Sequence, residues 1–252
     1  MDGPEPDRWS AVADVWDELW GRFAEPAWGA VAKPAGVGPG SRVLDVGCGS
    51  GTFLAFAADL GAEVAGVDPA PDMVRLARAR LPGADIRAGS AEELPWPDGT
   101  FDLVAAFNAL QFAEDTIDAL TEFGRVARPA GLVAVANWAE AARNDLDTIE
   151  AAVAAAAGEE VRPGGELREP GGLEGVLREA GLQVVAAGLV EAHWAVADDE
   201  TLVRGVLMGE DEDGVAAAAP AVIAAARAFR TQDGGYRTVN AFRYAVGRAP
   251  VA

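Results

Sequence analysis

Apolar residues in segment 9–32, WSAVADVWDELWGRFAEPAWGAVA, recur at helical spacing. Trp9, Val12, Val15, Trp16, Leu19, Trp20 and Phe23 fall at i, i+3, i+4 and i+7 steps, as on one face of an amphipathic helix. The pattern predicts one or two helices, with Pro26 dividing them, and a loop at AGVGPGS (35–41). From residue 42 the period changes. RVLDV (42–46) predicts a strand, residues 51–60 a helix ended by Gly61, and AEVAGVD (62–68) a second strand. PDMVRLARAR (71–80) predicts a helix with Pro71 in its first turn. A turn at PGAD leads to a short strand, IRAGS (86–90). After PWPDGT, FDLVAAF (101–107) is the fourth strand. Residues 115–128 are helical, and the turn PAG leads to a fifth strand, LVAVANW (132–138). Strands separated by helical segments imply right-handed βαβ units and a parallel sheet.

Beyond residue 138 the alternation loosens. AEAARNDLDTIEAAVAAAAGEE (139–160) predicts a helical insertion ending near Gly158, and VRPGGELREPGG (161–172) a turn-rich loop. LEGVLREAG is a helix, LQVVAAGLVEAHW (182–194) a sixth strand, and DDETLVRGVL a helix with Asp at its N-cap. GEDEDG (209–214) is a solvated acidic loop, PAVIAAARAFR (220–230) a helix, and YRTVNAFRYAVGRA (236–249) the last strand. Residues 1–35 form a helical arm. Residues 36–252 form one sheet domain, with a lid insertion at about 139–170.

Composition narrows the chemistry. Half of the 252 residues are hydrophobic, enough for a sizeable core, yet no apolar run approaches the ~18 residues of a membrane span. The start, MDGPEPDRWS, has no basic region followed by an apolar one, so a soluble cytoplasmic protein is expected. Cys48 is the only cysteine, which excludes an intrachain disulfide and leaves a structural zinc site without thiolates; no metal is expected. A formal net charge of −20 repels nucleic acid and anionic membranes. A monomer and a homodimer both remain open.

The stretch RVLDVGCGSGTFLAFAADLGAEVAGVD (42–68) carries three glycines in five residues, Gly47, Gly49 and Gly51, between two strands. A phosphate-binding GxxxxGK[ST] loop is excluded, because no lysine lies near. A dinucleotide fingerprint needs GxGxxG; here the spacing is GxGxG and Thr52 stands at the third glycine's place. Asp45, at the end of the first strand, would repel a pyrophosphate. It suits S-adenosylmethionine, which carries an ammonium and a sulfonium and has no phosphate. Asp68, closing the second strand, stands where an acid can accept from ribose hydroxyls.

VLDVGCGSG resembles the first motif of the class I S-adenosylmethionine-dependent methyltransferases. VAGVDPAPDMVRLARAR is similar to that family's second strand and following helix. RAGSAEELPWPDGTFDLVAAFNALQF resembles its third and fourth strands, and RVARPAGLVAVANW its fifth. The likeness covers residues 42–138. It implies an α/β, Rossmann-like, seven-stranded, mostly parallel sheet with an antiparallel last strand and helices on both faces. It also implies a set of cofactor contacts: Trp20, Asp45, Gly47, Cys48, Gly49, Gly51, Asp68, Pro69, Met73, Ser90, Ala91, Glu92, Phe107, Asn108, Gln111 and Phe112. Asp45 and the backbone at Gly47 and Gly49 would hold the methionine moiety, and Asp68 the ribose. Met73 would pack on adenine or simply be buried on its helix. Ser90 departs from the Asp the family often has there. Trp16 or Trp20 either closes the site from the arm or packs a helix face.

Methyl transfer is an in-line SN2 step in which the enzyme supplies proximity and alignment. A base is needed only for an acceptor that keeps its proton. The single histidine, His193, near the end of strand six, is the expected base, with Tyr236 or Arg237 placing the substrate. The expected acceptor is a small, largely apolar molecule, first a hydroxyl of a secondary metabolite such as an antibiotic precursor, second a quinone-type or fatty precursor. Three alternatives stay open: a non-transfer reaction such as cyclisation at the same cofactor site, a cofactor-sensing regulator, and a nicotinamide-dependent oxidoreductase.

Overall fold

The computed structural model describes residues 6–160 and 164–251. Residues 1–5 of the predicted arm, 161–163 of the predicted turn-rich loop and Ala252 lie outside the described residues. Seven strands form one sheet: β1 (Arg42–Val46), β2 (Glu63–Asp68), β3 (Asp85–Ala88), β4 (Phe101–Phe107), β5 (Ala127–Trp138), β6 (Gln183–Val196) and β7 (Tyr236–Arg248). Their order is β3-β2-β1-β4-β5-β7-β6. β1 to β5 pair in parallel, and β7 runs antiparallel to both β5 and β6. The predicted Rossmann-like sheet with an antiparallel last strand is therefore the observed one. The chain runs outward from β1 through β2 and β3, then crosses back to β4 on β1's other side. That reversal opens a crevice at the carboxyl ends of β1 and β4, where open α/β sheets bind ligands.

The central strands are apolar on both faces, as parallel strands covered by helices must be. Leu44, Val104 and Val133 belong to one core and Val43, Leu103 and Ala134 to another. The covering helices are α3 (Thr52–Asp59), α4 (Pro71–Arg80), α5 (Thr116–Val126) and α7 (Gly172–Glu179). A third core lies at the far end of β6 and β7. There Trp194, Tyr236 and Phe242 meet α6 (Asp145–Ala157), α8 (Asp199–Val206) and α9 (Glu212–Ala226). The predicted insertion thus packs on α9 and β7, above the carboxyl end of β5.

The arm is two helices, α1 (Pro6–Trp20) and α2 (Glu25–Ala32). Pro26 does not divide them. The break falls at residues 21–24, and Pro26 sits in the first turn of α2, where a missing N–H costs nothing. α9 also differs from expectation, beginning at Glu212 inside the predicted acidic loop. Asp211 caps it by accepting from Gly214 N at 2.8 Å, and Glu212 and Asp213 face the positive end of the helix dipole. Pro220 consequently lies inside the helix. The predicted cap of α8 is Asp198, which accepts from Thr201 N at 2.8 Å.

Candidate active site

The glycine turn is shaped by hydrogen bonds from both strands. Gly47 N and Cys48 N donate to Val67 O at 2.8 and 3.0 Å, which draws the end of β1 onto β2. Gly49 N donates to Asp68 Oδ2 at 2.8 Å, and Ala70 N to Asp68 Oδ1 at 2.9 Å. Both Asp68 oxygens are therefore anchored, and each retains a lone pair for a further donor. Burial raises the Asp68 pKa, opposed by the N–H groups of Ala70 and Gly49. Asp45 has no such support. Burial, and then the charge of Asp68, push its carboxyl well above the usual range. Burial also raises the Cys48 thiol, with Asp45 and Asp68 adding to it.

These residues line a cavity of about 760 Å³ at the sheet's switch point, inside the roughly 300–1,000 Å³ range of small-molecule sites. Of the predicted contacts, Trp20, Asp45, Gly47, Cys48, Gly49, Asp68, Pro69, Met73, Ser90, Ala91, Glu92, Phe107, Asn108, Gln111 and Phe112 line it. Gly51 lies outside the lining. It stands at the N-cap of α3 with φ 80°, and a Cβ there would sit 3.1 Å from Ala77, so it lets α3 approach α4. Met73 lines the cavity and is also buried against Ala13 and Ala70.

Three buried polar side-chain atoms have no hydrogen-bond partner among the described residues: Asp45 Oδ1, Asn108 Oδ1 and Trp28 Nε1. All three residues line this cavity. Buried polar groups are nearly always paired, so such a cluster marks a place built to receive something polar. Asn108 holds φ 53°, a left-handed conformation that asparagine tolerates, and turns the chain sharply after β4. These groups fit S-adenosylmethionine: an unpartnered buried carboxyl for an ammonium, an anchored carboxylate for ribose hydroxyls and, among the described residues, no cation in the lining.

The arm covers this cavity and is tied to the glycine turn. Ser50 Oγ donates to Asp17, Arg80 pairs with Asp17 at 2.8 Å, and Thr52 Oγ1 donates to Gly21 O. Ser10 Oγ accepts from Asp72 N at 3.2 Å at the start of α4. The Trp16 ring lies 3.3 Å from where a Gly49 Cβ would be. Trp20 stacks on Trp194 at 4.4 Å and donates to Gly205 O, while Trp194 donates to Leu19 O. Both arm tryptophans thus line the cavity and pack. The Asp17→Ala variant is expected to bind S-adenosylmethionine about three- to ten-fold more weakly, as one half-buried ion pair contributes about 1 kcal/mol. Calorimetry checks this, and unchanged affinity would mean that the tie does not hold the arm closed.

The three predicted catalytic residues are elsewhere. His193, Tyr236 and Arg237 do not line the cavity. β6 does end on the cavity side, but its side chains alternate. Ala192 and Trp194 point into the core, and His193 is exposed on the opposite face. Arg237 is exposed for the same reason, one residue after buried Tyr236. The Tyr236 hydroxyl donates to Asp199 Oδ1 at 2.6 Å and ties β7 to α8. Residues that the sequence reading missed include Trp9, Trp28, Trp138, Glu150 and Met208. Trp138 ends β5, and Glu150 lies one turn after Leu146, which also faces the cavity.

Residues 44–135 match the family model of a methyltransferase domain. The chain is similar to that family over this segment. It is 38% identical over 122 residues to a demethylmenaquinone methyltransferase of Beutenbergia cavernae, covering 48% of each chain. To a ubiquinone biosynthesis O-methyltransferase of Rhizobium rhizogenes it is 34% identical over 157 residues, 54% of this chain and 63% of that one. The chain thus spans less than two thirds of the length of these curated relatives. The same fold occurs in the YcgJ protein of Bacillus subtilis, with a TM-score of 0.60, 19% identity, and coverage of 90% of this chain and 99% of that one. It also occurs in the [4+2]-cyclase SpnF, with a TM-score of 0.58, 21% identity, and coverage of 93% and 83%. Among the described residues, no helix is long and apolar enough to cross a membrane.

Proposed function

We propose that this protein transfers a methyl group from S-adenosylmethionine to a hydroxyl of a small, largely apolar acceptor. The observation that carries the reading is the cavity's two-part lining. One end is the glycine turn with Asp45 and Asp68. The other continues past Asn108 to an aromatic wall of Trp20, Phe23 and Trp138 beside Glu150. When bound, the cofactor supplies an electrophilic methyl and a neutral thioether leaving group. The chain's own residues do the rest. Asp45 faces the ammonium, Asp68 the ribose, and Met73 with the Ser90–Ala91 backbone the adenine. The Asn108 turn brackets the place where the methyl meets the acceptor.

The aromatic wall and the absence of Lys and Arg from the described lining favour an uncharged ring over an anionic acceptor. The relatives named for menaquinone and ubiquinone synthesis support a hydroxylated ring of quinone type or a similar secondary metabolite. The described residues of the arm, 6–35, and of the insertion, 139–160 and 164–170, act as covers that exclude water.

Calorimetric titration with S-adenosylmethionine, S-adenosylhomocysteine and NAD tests the cofactor half. Micromolar binding of the two adenosyl compounds and none of NAD is expected; the reverse pattern would return the oxidoreductase reading. S-adenosylhomocysteine released mole for mole with a product heavier than the acceptor by one CH₂, the mass a methyl adds in replacing a hydrogen, distinguishes transfer from cyclisation or sensing.

A further inference from the structure

The acceptor end of the cavity holds one ionisable side chain. Among the described residues, the lining contains no histidine, lysine, arginine or tyrosine. Its titratable groups are Asp45, Cys48 and Asp68 at the glycine turn, Glu92 and Glu114 at the rim, and Glu150 on α6. Glu92 is engaged, since its Oε1 accepts from Glu114 N at 2.7 Å. The glycine-turn groups face the cofactor. Glu150 stands on α6 one turn after Leu146, which lines the cavity and packs in one apolar cluster with Phe23 and Trp138.

Its setting is that of a free base. Glu150 is exposed on α6 and is part of the cavity lining. The nearest cation, Arg168, is committed elsewhere: it forms a two-pronged pair with Asp147 at 2.5 and 2.9 Å and donates to Ala139 O. Glu150 is left without an ion-pair partner among the described residues. Two charged groups act on it from the elements around it. Although it is exposed by surface area, the protein packed around its carboxyl raises its pKa, Asp147 on its own helix adds to that, and Arg168 works against both. A carboxylate so raised is a better match to a weakly acidic hydroxyl than an ordinary one.

We propose that Glu150 is the general base of this site, a catalytic residue that takes the proton of the acceptor hydroxyl; the proposal rests on the O-methyl-transfer reading above. The acceptor O–H bond breaks toward the Glu150 carboxylate as the oxygen's electron pair forms the new bond to the methyl carbon. The carbon–sulfur bond breaks with its pair remaining on sulfur. The carboxylate and the sulfonium are both neutralised, so charge balances, and the open cavity returns the proton to solvent.

The test uses the full chain, its Glu150→Gln and Glu150→Asp variants, and S-adenosylmethionine with catechol, 2-naphthol, 4-nitrophenol and aniline as probes. Cofactor affinity, read by calorimetry, should stay within about twofold of the parent, since Glu150 lies away from the glycine turn. For catechol and 2-naphthol, Glu150→Gln should lower kcat about 10²–10⁴-fold with little change in KM. It should also remove the acid limb of the pH profile, which Glu150→Asp restores in part. For 4-nitrophenol, already largely ionised near neutral pH, the loss should be far smaller. An equal loss for all three hydroxyl probes, a change in KM alone, or a surviving acid limb overturns the assignment. Turnover of aniline and of no hydroxyl probe by the parent, with cofactor still bound, removes the hydroxyl reading and the base with it. Failure of the parent to bind S-adenosylmethionine instead removes the cofactor reading.

Discussion

Replacing Asp45 with asparagine is expected to weaken S-adenosylmethionine binding about 10- to 100-fold while making the ligand-free protein more stable. The affinity loss follows from removing one charge-assisted partner of the ammonium, about 1.5–3 kcal/mol. The gain in stability follows from the same isolation that suits the carboxylate to a cation. Asp45 is buried, its Oδ1 has no partner, and Asp68 stands nearby. Its raised pKa means that the folded state favours the protonated form. That stability is complete below the unfolded pKa, about 4, and is lost as pH rises toward the folded value. The ligand-free parent should therefore lose stability upward from about pH 4, and Asp45→Asn should not. Near neutral pH the variant should melt roughly 2–4 °C higher for each kcal/mol regained, and the two curves should converge in acid. Below the raised pKa, cofactor binding should also release a proton from Asp45, so the parent's binding enthalpy should depend on the buffer's ionisation enthalpy. Equal melting at neutral pH together with undiminished affinity would sink the assignment.

The local part of this site was legible in the sequence because its chemistry is local. The glycine turn and the acids at the ends of β1 and β2 lie within 24 residues of one another, and strand pairing sets Asp45 opposite Gly66, two residues before Asp68. The order and direction of the strands followed from alternation and family resemblance. The arm's tryptophans were visible as a stripe, but whether they packed or lined the site depended on α8 and β6, which no local pattern places. His193 shows a different failure. Strand side chains alternate, and Trp194 is the large apolar member that must face inward. Its neighbour His193 then faces out, whichever end of the sheet the strand reaches. Strand direction gives the end of β6, and only the alternation of its side chains gives the face. Glu150 was the converse case. On an alanine-rich helix it reads as an ordinary solvated carboxylate; it is exposed, and the packing of α6 on α9 and β7 is what sets it in the cavity lining.

Gly47→Val should abolish measurable cofactor binding and cost stability even without ligand. Two independent constraints meet at this position. Its φ of 70° belongs to the left-handed region, which costs a β-branched residue roughly 1–3 kcal/mol. A Cβ there would also lie 2.4 Å from the Ala109 Cβ, far inside contact distance. Ala109 follows Asn108 in the sharp turn after β4, so relief requires moving one of the two loops that form the cavity floor. Overpacking of this kind adds about 1–3 kcal/mol. The two causes can be separated with Gly47→Ala and Ala109→Gly, singly and together. The double variant removes the clash and leaves the strain, so it should recover part of the stability and part of the affinity lost in Gly47→Ala. Full recovery would assign the whole effect to the clash; no recovery would assign it to the backbone, as expected if Gly47 N must keep its bond to Val67 O for β1 to end where the cofactor needs it. Wild-type affinity in Gly47→Val would show that this turn is not the cofactor's cradle.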